Sequence, residues 1–260
     1  MNRLVLPRTP EMPYLIGMIH LAALPGAPNF AGDLTRVVAD AVADAQVLAD
    51  AGFDALMVEN FHDTPFVKDA SPPETIAALA RCALAIRSAV PDHPLGINVL
   101  RNDGLAALGI AVAVGAAFIR VNVLTGAMVT DQGLIEGCAA ALLRKRAALS
   151  APVAIWADVL VKHAAPLGEP DPDQAARDTF HRGGADALIV SGTGTGAPTS
   201  PERVAAVRRA VPEAPVLVGS GTTASNLMGL GADGYIVGTA LKRAGRVDPK
   251  LAAALVAARG

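Results

Sequence analysis

One phrase recurs along the chain. Gly52-Phe53-Asp54-Ala55-Leu56-Met57-Val58 returns as Gly184-Ala185-Asp186-Ala187-Leu188-Ile189-Val190 and as Gly231-Ala232-Asp233-Gly234-Tyr235-Ile236-Val237. A weaker copy is Gly115-Ala116-Ala117-Phe118-Ile119-Arg120-Val121. Internal repetition constrains a fold strongly, because each copy has to build the same supersecondary unit. A helical pattern precedes each glycine, which suits the left-handed residue closing a helix. The apolar run after it suits a strand buried in a parallel sheet.

A second phrase alternates with the first, a proline leading an apolar run: Pro13-Tyr14-Leu15-Ile16-Gly17, Pro94-Leu95-Gly96-Ile97-Asn98, Pro152-Val153-Ala154-Ile155-Trp156 and Pro215-Val216-Leu217-Val218-Gly219. Proline at the first residue of a strand forfeits no ladder donor. Four proline-led and four glycine-led runs make eight strands. The stretches 33–51, 72–89, 131–149 and 201–211 read as helices, and 104–119 as a buried helix running into a buried strand. Units of about 30 residues fill the roughly 250 residues of a (β/α)8 TIM barrel, and the chain has 260. The expectation is α/β: one barrel domain over 1–260 with a short irregular lead-in at 1–12.

Composition removes several function classes. Hydrophobic residues are 52% and charged residues 18%, which excludes disorder. A net charge of −2 and 3% aromatic residues offer neither the basic field nor the stacking surface that nucleic acid needs. Cys82 and Cys138 suggest no disulfide framework and fit a reducing compartment. Both fall in helical patterns away from the strand ends, which argues against a nucleophilic role. The first twelve residues lack a signal-peptide core, and the longest apolar run is too short to span a bilayer. No integral membrane segment is expected, and a peripheral membrane contact is compatible with the sequence. The expected location is cytoplasmic or membrane-peripheral, and the expected assembly a homo-oligomer.

Alternate side chains of a barrel strand point inward. Leu56 and Val58, Ile97 and Val99, and Ile119 and Val121 form an apolar outward set. The last inward residues are His20, Glu59, Asn98, Asn122, Asp158 and Ser191, all polar and all at the C-terminal strand ends, where barrel active sites sit. Glu59 and Asp158 are candidates for general base and acid, or for sharing a divalent cation. An ion pair of these carboxylates with Arg120 is the competing structural reading. His20 is a candidate proton carrier. Asn98, Arg120 and Asn122 suit an oxygen-rich substrate. Lys162, just past the fifth strand, forms a Schiff base if desolvated, although its place on a loop points to a surface or phosphate-facing role. His62 and Asp63, after the second strand, are expected in solvent.

Gly219-Ser220-Gly221-Thr222-Thr223 follows the seventh strand and leads toward an expected helix; Gly238-Thr239-Ala240-Leu241-Lys242 follows the eighth. Barrels frequently hold phosphate between these two loops, with backbone N–H groups and a helix end facing the anion. Ser220, Thr222 and Thr239 add hydroxyls, and Lys242 adds charge. Ser191-Gly192-Thr193-Gly194, after the sixth strand, is a further candidate for the anion site.

These residues together resemble the BtpA/SgcQ family. The resemblance rests on Gly17-Met18-Ile19-His20-Leu21 with Leu24-Pro25-Gly26, Asp54-Ala55-Leu56-Met57-Val58-Glu59-Asn60, Gly96-Ile97-Asn98-Val99-Leu100-Arg101-Asn102, Ile119-Arg120-Val121-Asn122, Ala157-Asp158-Val159 with Lys162-His163, and Ser191-Gly192-Thr193-Gly194. It implies a phosphate-site TIM barrel. One branch of that family is a photosystem I biogenesis factor associated peripherally with thylakoid membranes. Another lies among sugar-uptake and sugar-phosphate genes, which implies a catabolic enzyme.

The leading expectation is an enzyme of sugar-phosphate or related metabolism, of isomerase, epimerase or aldolase/lyase type. Its partner would be a phosphorylated small molecule. The alternatives are a non-catalytic photosystem I or membrane-complex biogenesis factor, and a flavin-binding barrel.

Overall fold

The computed structural model describes residues 6, 12–169, 171–192 and 199–260. In chain order the elements are β1 (Tyr14–His20), α1 (Leu34–Ala51), β2 (Ala55–Glu59), α2 (Pro73–Ala89), β3 (Leu95–Asn98), α3 (Gly104–Val114) and β4 (Phe118–Val121). Then come β5 (Ala127–Thr130), β6 (Gly133–Glu136), α4 (Ala139–Ala148), β7 (Ala154–Asp158), β8 (Ala164–Pro166) and α5 (Pro172–Arg177). The chain continues with β9 (Ala187–Val190), α6 (Pro201–Ala210), β10 (Val216–Val218), β11 (Gly234–Val237), β12 (Lys242–Arg243), β13 (Arg246–Val247) and α7 (Pro249–Ala257). The eight expected strands, β1, β2, β3, β4, β7, β9, β10 and β11, close in sequence order into a parallel barrel.

The repeated glycines do what their spacing implied. Gly52, Gly115, Gly184 and Gly231 have φ of 95°, 67°, 68° and 67°, the left-handed region that lets the chain turn out of a helix toward the next strand. Strand parity also holds. Leu15, Ile19, Leu56, Val58, Ile97 and Ile119 pack outward with the helices. Ile16, Met18, Met57, Phe118, Trp156, Ile189, Leu217 and Ile236 fill the barrel. Phe118 stacks on Trp156 with ring centroids 3.7 Å apart. The stack needs Gly96, where a Cβ would lie 2.1 Å from the Phe118 ring.

The repeated aspartate closes the N-terminal rim. Asp54 gives its N–H to Leu15 O (3.0 Å) and takes the Leu15 N–H on its carboxylate (2.7 Å). Asp186 does the same with Ile155 (2.7 and 2.8 Å), and Asp233 with Val216 (2.8 and 2.8 Å). Each carboxylate also holds an arginine from the helix before the first strand of the pair. Arg146 of α4 reaches Asp186 at 2.7 Å, and Arg208 of α6 reaches Asp233 at 2.9 Å. Arg259, after α7, reaches Asp54, so the last helix serves β1 and β2 as α4 and α6 serve the other two pairs. The weaker repeat has Ala117 here. Its arginine, Arg87 of α2, donates instead to the carbonyls of Pro91, His93 and Gly115.

Two helix expectations are corrected. Within 131–149 only Ala139–Ala148 is helical, and 127–136 is a β-hairpin. Gly133, at φ 101°, cannot continue a helix, and Thr130 Oγ1 closes the turn by donating to Gly133 O and accepting from Gln132 N. Cys138 consequently sits before α4 rather than in it. Between β10 and β11 there is no α-helix among the described residues, only a three-residue 3-10 turn at Leu227–Gly229. Asn226 folds the segment back, accepting from Thr223 N and donating to Gly221 O, each at 2.8 Å. Of the expected lead-in, Leu6 and Met12 are described, and Leu6 joins the inner cluster.

Asp233→Ala is expected to lower the unfolding free energy by about 3 kcal/mol in urea denaturation, because it orphans the Val216 N–H and leaves Arg208 unpaired. Arg36→Ala breaks an exposed i,i+4 pair with Asp40 and is expected to change stability by less than about 0.5 kcal/mol.

Candidate active site

At the C-terminal end of the barrel, register alone sets four polar residues side by side: His20 opposite Glu59, Glu59 opposite Asn98, Asn98 opposite Arg120. The hub is an ion pair. Arg120 Nε and Nη2 donate to the two oxygens of Asp158, both at 2.9 Å. Asp158 also accepts from Ser191 Oγ (3.0 Å) and Asn122 Nδ2 (3.2 Å). Asn98 Nδ2 joins the network through Asn122 Oδ1 and Arg120 O, each at 3.2 Å. Burial works against the Arg120 charge, but Asp158 and Glu59 outweigh it, and its pKa rises.

This geometry corrects several expectations. All acceptor directions of Asp158 are occupied, so it is no free acid or base. Among the described residues no group of three or more His, Cys, Asp or Glu side chains is placed to hold a metal ion. Ser191 is fully buried with its hydroxyl on Asp158, and neither it nor Gly192 lines the cavity described next. Thr193 and Gly194 lie outside the described residues. Asp63 is buried rather than solvated, accepting from Leu24 N (2.7 Å) and Asn60 Nδ2 (3.0 Å). His62 is exposed as expected. Lys242 is not among the residues lining the cavity described next, and its Nζ lies 3.6 Å from Asp44 of α1.

Above the hub is a cavity of about 190 Å³. On one side stand His20, Glu59, Phe61, Arg120 and Lys162; on the other are Gly219–Thr223 and Gly238–Ala240. Both glycine loops therefore face the inward polar set, through backbone and hydroxyl groups and without an α-helix end. Gly238 is required here, since a Cβ would come within 2.9 Å of the His20 ring. Thr222 Oγ1 is buried with no hydrogen-bond partner among the described residues.

Glu59 is buried, and its carboxyl makes no hydrogen bond among the described residues. Desolvation raises its pKa against the opposing pull of Arg120 and Lys162. His20 stacks on Phe61 with centroids 4.2 Å apart. Burial, with Lys242, His62, Lys162 and Arg120 nearby, pushes its pKa down to about 2. It is therefore neutral, and its Nε2, 3.8 Å from Glu59 Oε1, forms neither an ion pair nor a hydrogen bond. Lys162 is held by its backbone. Leu160 and His163 flank it at φ 53° and 55°, a conformation costing about 1–3 kcal/mol at each non-glycine position. Arg101 Nη2 fixes the Lys162 carbonyl at 2.8 Å. Burial lowers the Lys162 pKa, with Arg120 adding to the effect and Glu59 opposing it.

Sequence reasoning missed two parts of this site. Phe61, one of only eight Phe and Tyr residues in the chain, lies two positions past Glu59. Arg101, buried three residues past the end of β3, was visible only as part of a motif.

The BtpA family model matches residues 11–259. The chain belongs to the BtpA family. An uncharacterized protein of Thermococcus kodakarensis is 53% identical over 90% of this chain and 88% of its own length. The photosystem I biogenesis protein BtpA of Synechocystis is 48% identical over 90% of this chain and 82% of its own. Among solved structures, a Mycobacterium tuberculosis tryptophan synthase superposes with a TM-score of 0.60 at 21% identity, covering 95% of this chain and 92% of that one. This likeness shows the TIM-barrel fold. Among the described residues no helix of this BtpA-family chain is long and apolar enough to cross a membrane.

The folded protein holds the Glu59 proton more tightly than the unfolded chain does. Its stability therefore falls as pH climbs from the ordinary value of 4.5 toward the raised one. Glu59→Gln removes that loss. The variant is expected to match wild type at acid pH and to exceed it increasingly above pH 4.5, read from chemical denaturation across pH.

Proposed function

We propose that this protein is an enzyme acting on a short phosphorylated metabolite, with the glycine loops after β10 and β11 as the phosphate anchor. The observation that carries this reading is the single cavity joining those loops to Glu59, His20 and Lys162. Backbone N–H groups of Ser220–Thr222 and Gly238–Ala240 would face the anion, and Thr222 Oγ1 would gain a hydrogen-bond partner. Glu59, its pKa raised by burial, is suited to giving and taking a proton. Neutral His20 is suited to hydrogen bonding with a substrate oxygen. Arg120, locked to Asp158, supplies fixed positive charge beneath the substrate. The reaction type this favours is proton transfer next to a carbonyl, as in isomerases, epimerases and aldolases.

A cavity of about 190 Å³ lies below the roughly 300 Å³ at which sites for drug-sized ligands begin, which favours a small sugar phosphate over a flavin. Assembly of photosystem I is the role named for the Synechocystis relative. The cavity that joins the glycine loops to Glu59, His20 and Lys162 favours the catalytic reading for this chain.

Thermal shift against small sugar phosphates, the same unphosphorylated sugars and inorganic phosphate tests the anchor. Phosphorylated ligands are expected to raise the melting temperature, by about 2.7 kcal/mol of added stability at 100 times Kd. Thr222→Val removes an unsatisfied buried hydroxyl. It is expected to keep or raise ligand-free stability while losing most of the phosphate-dependent shift. Equal shifts with phosphorylated and unphosphorylated sugars would sink the reading.

A further inference from the structure

A lysine in a barrel mouth serves either as a fixed charge or as an amine. The turn around Lys162 favours the second. Its two left-handed non-glycine residues, Leu160 and His163, are energetically unfavourable on their own. They persist because the turn is tied from several directions. Arg203 Nη2 reaches Leu160 O at 3.4 Å, and Arg101 Nη2 holds Lys162 O at 2.8 Å. Val161 is buried with Val123, Met128 and Ile135. After the turn, β8 is hydrogen-bonded to β5 of the hairpin. A flexible phosphate-facing lysine needs no such scaffold.

The surroundings of the amine fit the same role. Arg120 already occupies the floor as a permanent cation, fully matched by Asp158. Lys162 lines the cavity beside it with Glu59 as the proton-carrying neighbour and with the glycine loops across the space. Burial and the Arg120 charge make the uncharged amine accessible at lower pH than for a surface lysine.

Resting on the phosphate-anchor reading above, we propose that Lys162 is the nucleophile of this site, condensing with the aldehyde or ketone carbon of a short phosphorylated substrate. The Nζ lone pair forms the N–C bond while the carbonyl π pair moves to oxygen. The amine loses one proton, and the hydroxyl leaves as water. Glu59 relays protons between nitrogen and oxygen, and the net proton in that water comes from its carboxyl group. A protonated imine and a Glu59 carboxylate remain. That carboxylate takes the proton from the adjacent carbon as the C–H pair moves toward the imine, giving an enamine. Reprotonation and hydrolysis by water restore the amine. The substrate class is thus a phosphorylated carbonyl compound of a few carbons.

The test uses the full chain at neutral pH with sodium borohydride and either dihydroxyacetone phosphate or glyceraldehyde 3-phosphate. Adducts are read by intact mass and peptide mapping, and unphosphorylated dihydroxyacetone is the control. The expected result is one reduced adduct per chain, on Lys162, suppressed by excess inorganic phosphate. Lys162→Arg keeps the charge and cannot form an imine. It is expected to lose the adduct while retaining the phosphate-dependent thermal shift. A phosphate-dependent shift in wild type with no adduct on Lys162 from either compound overturns this inference and leaves the anchor standing. An adduct on Lys162 that forms equally from unphosphorylated dihydroxyacetone and ignores inorganic phosphate keeps the amine's role and overturns the anchor. Neither shift nor adduct overturns both.

Discussion

The barrel depends on a carboxylate that appears three times at its N-terminal rim. A strand entering a closed sheet has a backbone N–H that its neighbour does not automatically satisfy, and an unpaired buried donor costs about 1–3 kcal/mol. Asp54, Asp186 and Asp233 each supply the acceptor, align two strands and draw in an arginine from a third element. The Asp–Arg pairs are mostly shielded from water, so removing either partner leaves an uncompensated charge. Much of the stabilising chemistry is thereby placed at one end of the barrel.

The opposite end holds the polar side chains that such a scaffold can support. Arg120 and Asp158 sit inside the barrel, where neither would be tolerated alone. The bidentate pair, with Ser191, Asn122 and Asn98 around it, makes their burial affordable and leaves a charged floor that does not move. Glu59, His20 and Lys162 are shifted away from their ordinary protonation chiefly because burial desolvates them, with the Arg120 charge acting on each. The contrast between Asp158 and Glu59 illustrates the division: two inward carboxylates at equivalent strand ends, one consumed by structure, one left open to the cavity.

The sequence carried the strand parity, the eight-strand count and the position of the cavity, since each follows from a short period or from a residue's place on its own strand. Long-range pairing was harder to read. Nothing local to Asp158 reports that Arg120 of β4 and Ser191 after β9 converge on it. Nothing local to Ser191 shows that its hydroxyl turns down toward Asp158 instead of up toward a ligand. The hairpin at 127–136 lay within a stretch with enough alanine and leucine downstream to suggest one long helix, and Gly133 was the overlooked stop. The helix expected after β10 failed because Asn226 bonds the backbone of its own segment. The repeat's aspartates were visible as letters, but their role needed the neighbouring strand.

Arg259 lies one residue from the end of the chain and performs for β1 and β2 what Arg146 and Arg208 perform in mid-chain. The clamp does not distinguish a covalent neighbour from one that has come full circle. The barrel is in this respect a ring of quarters, three clamped alike and the fourth, at Ala117, without the aspartate. A polypeptide joined from its present end to its present beginning and reopened between two other quarters would retain every clamp. The clamps therefore depend on which strands stand side by side in the closed sheet and not on the order in which the chain visits them.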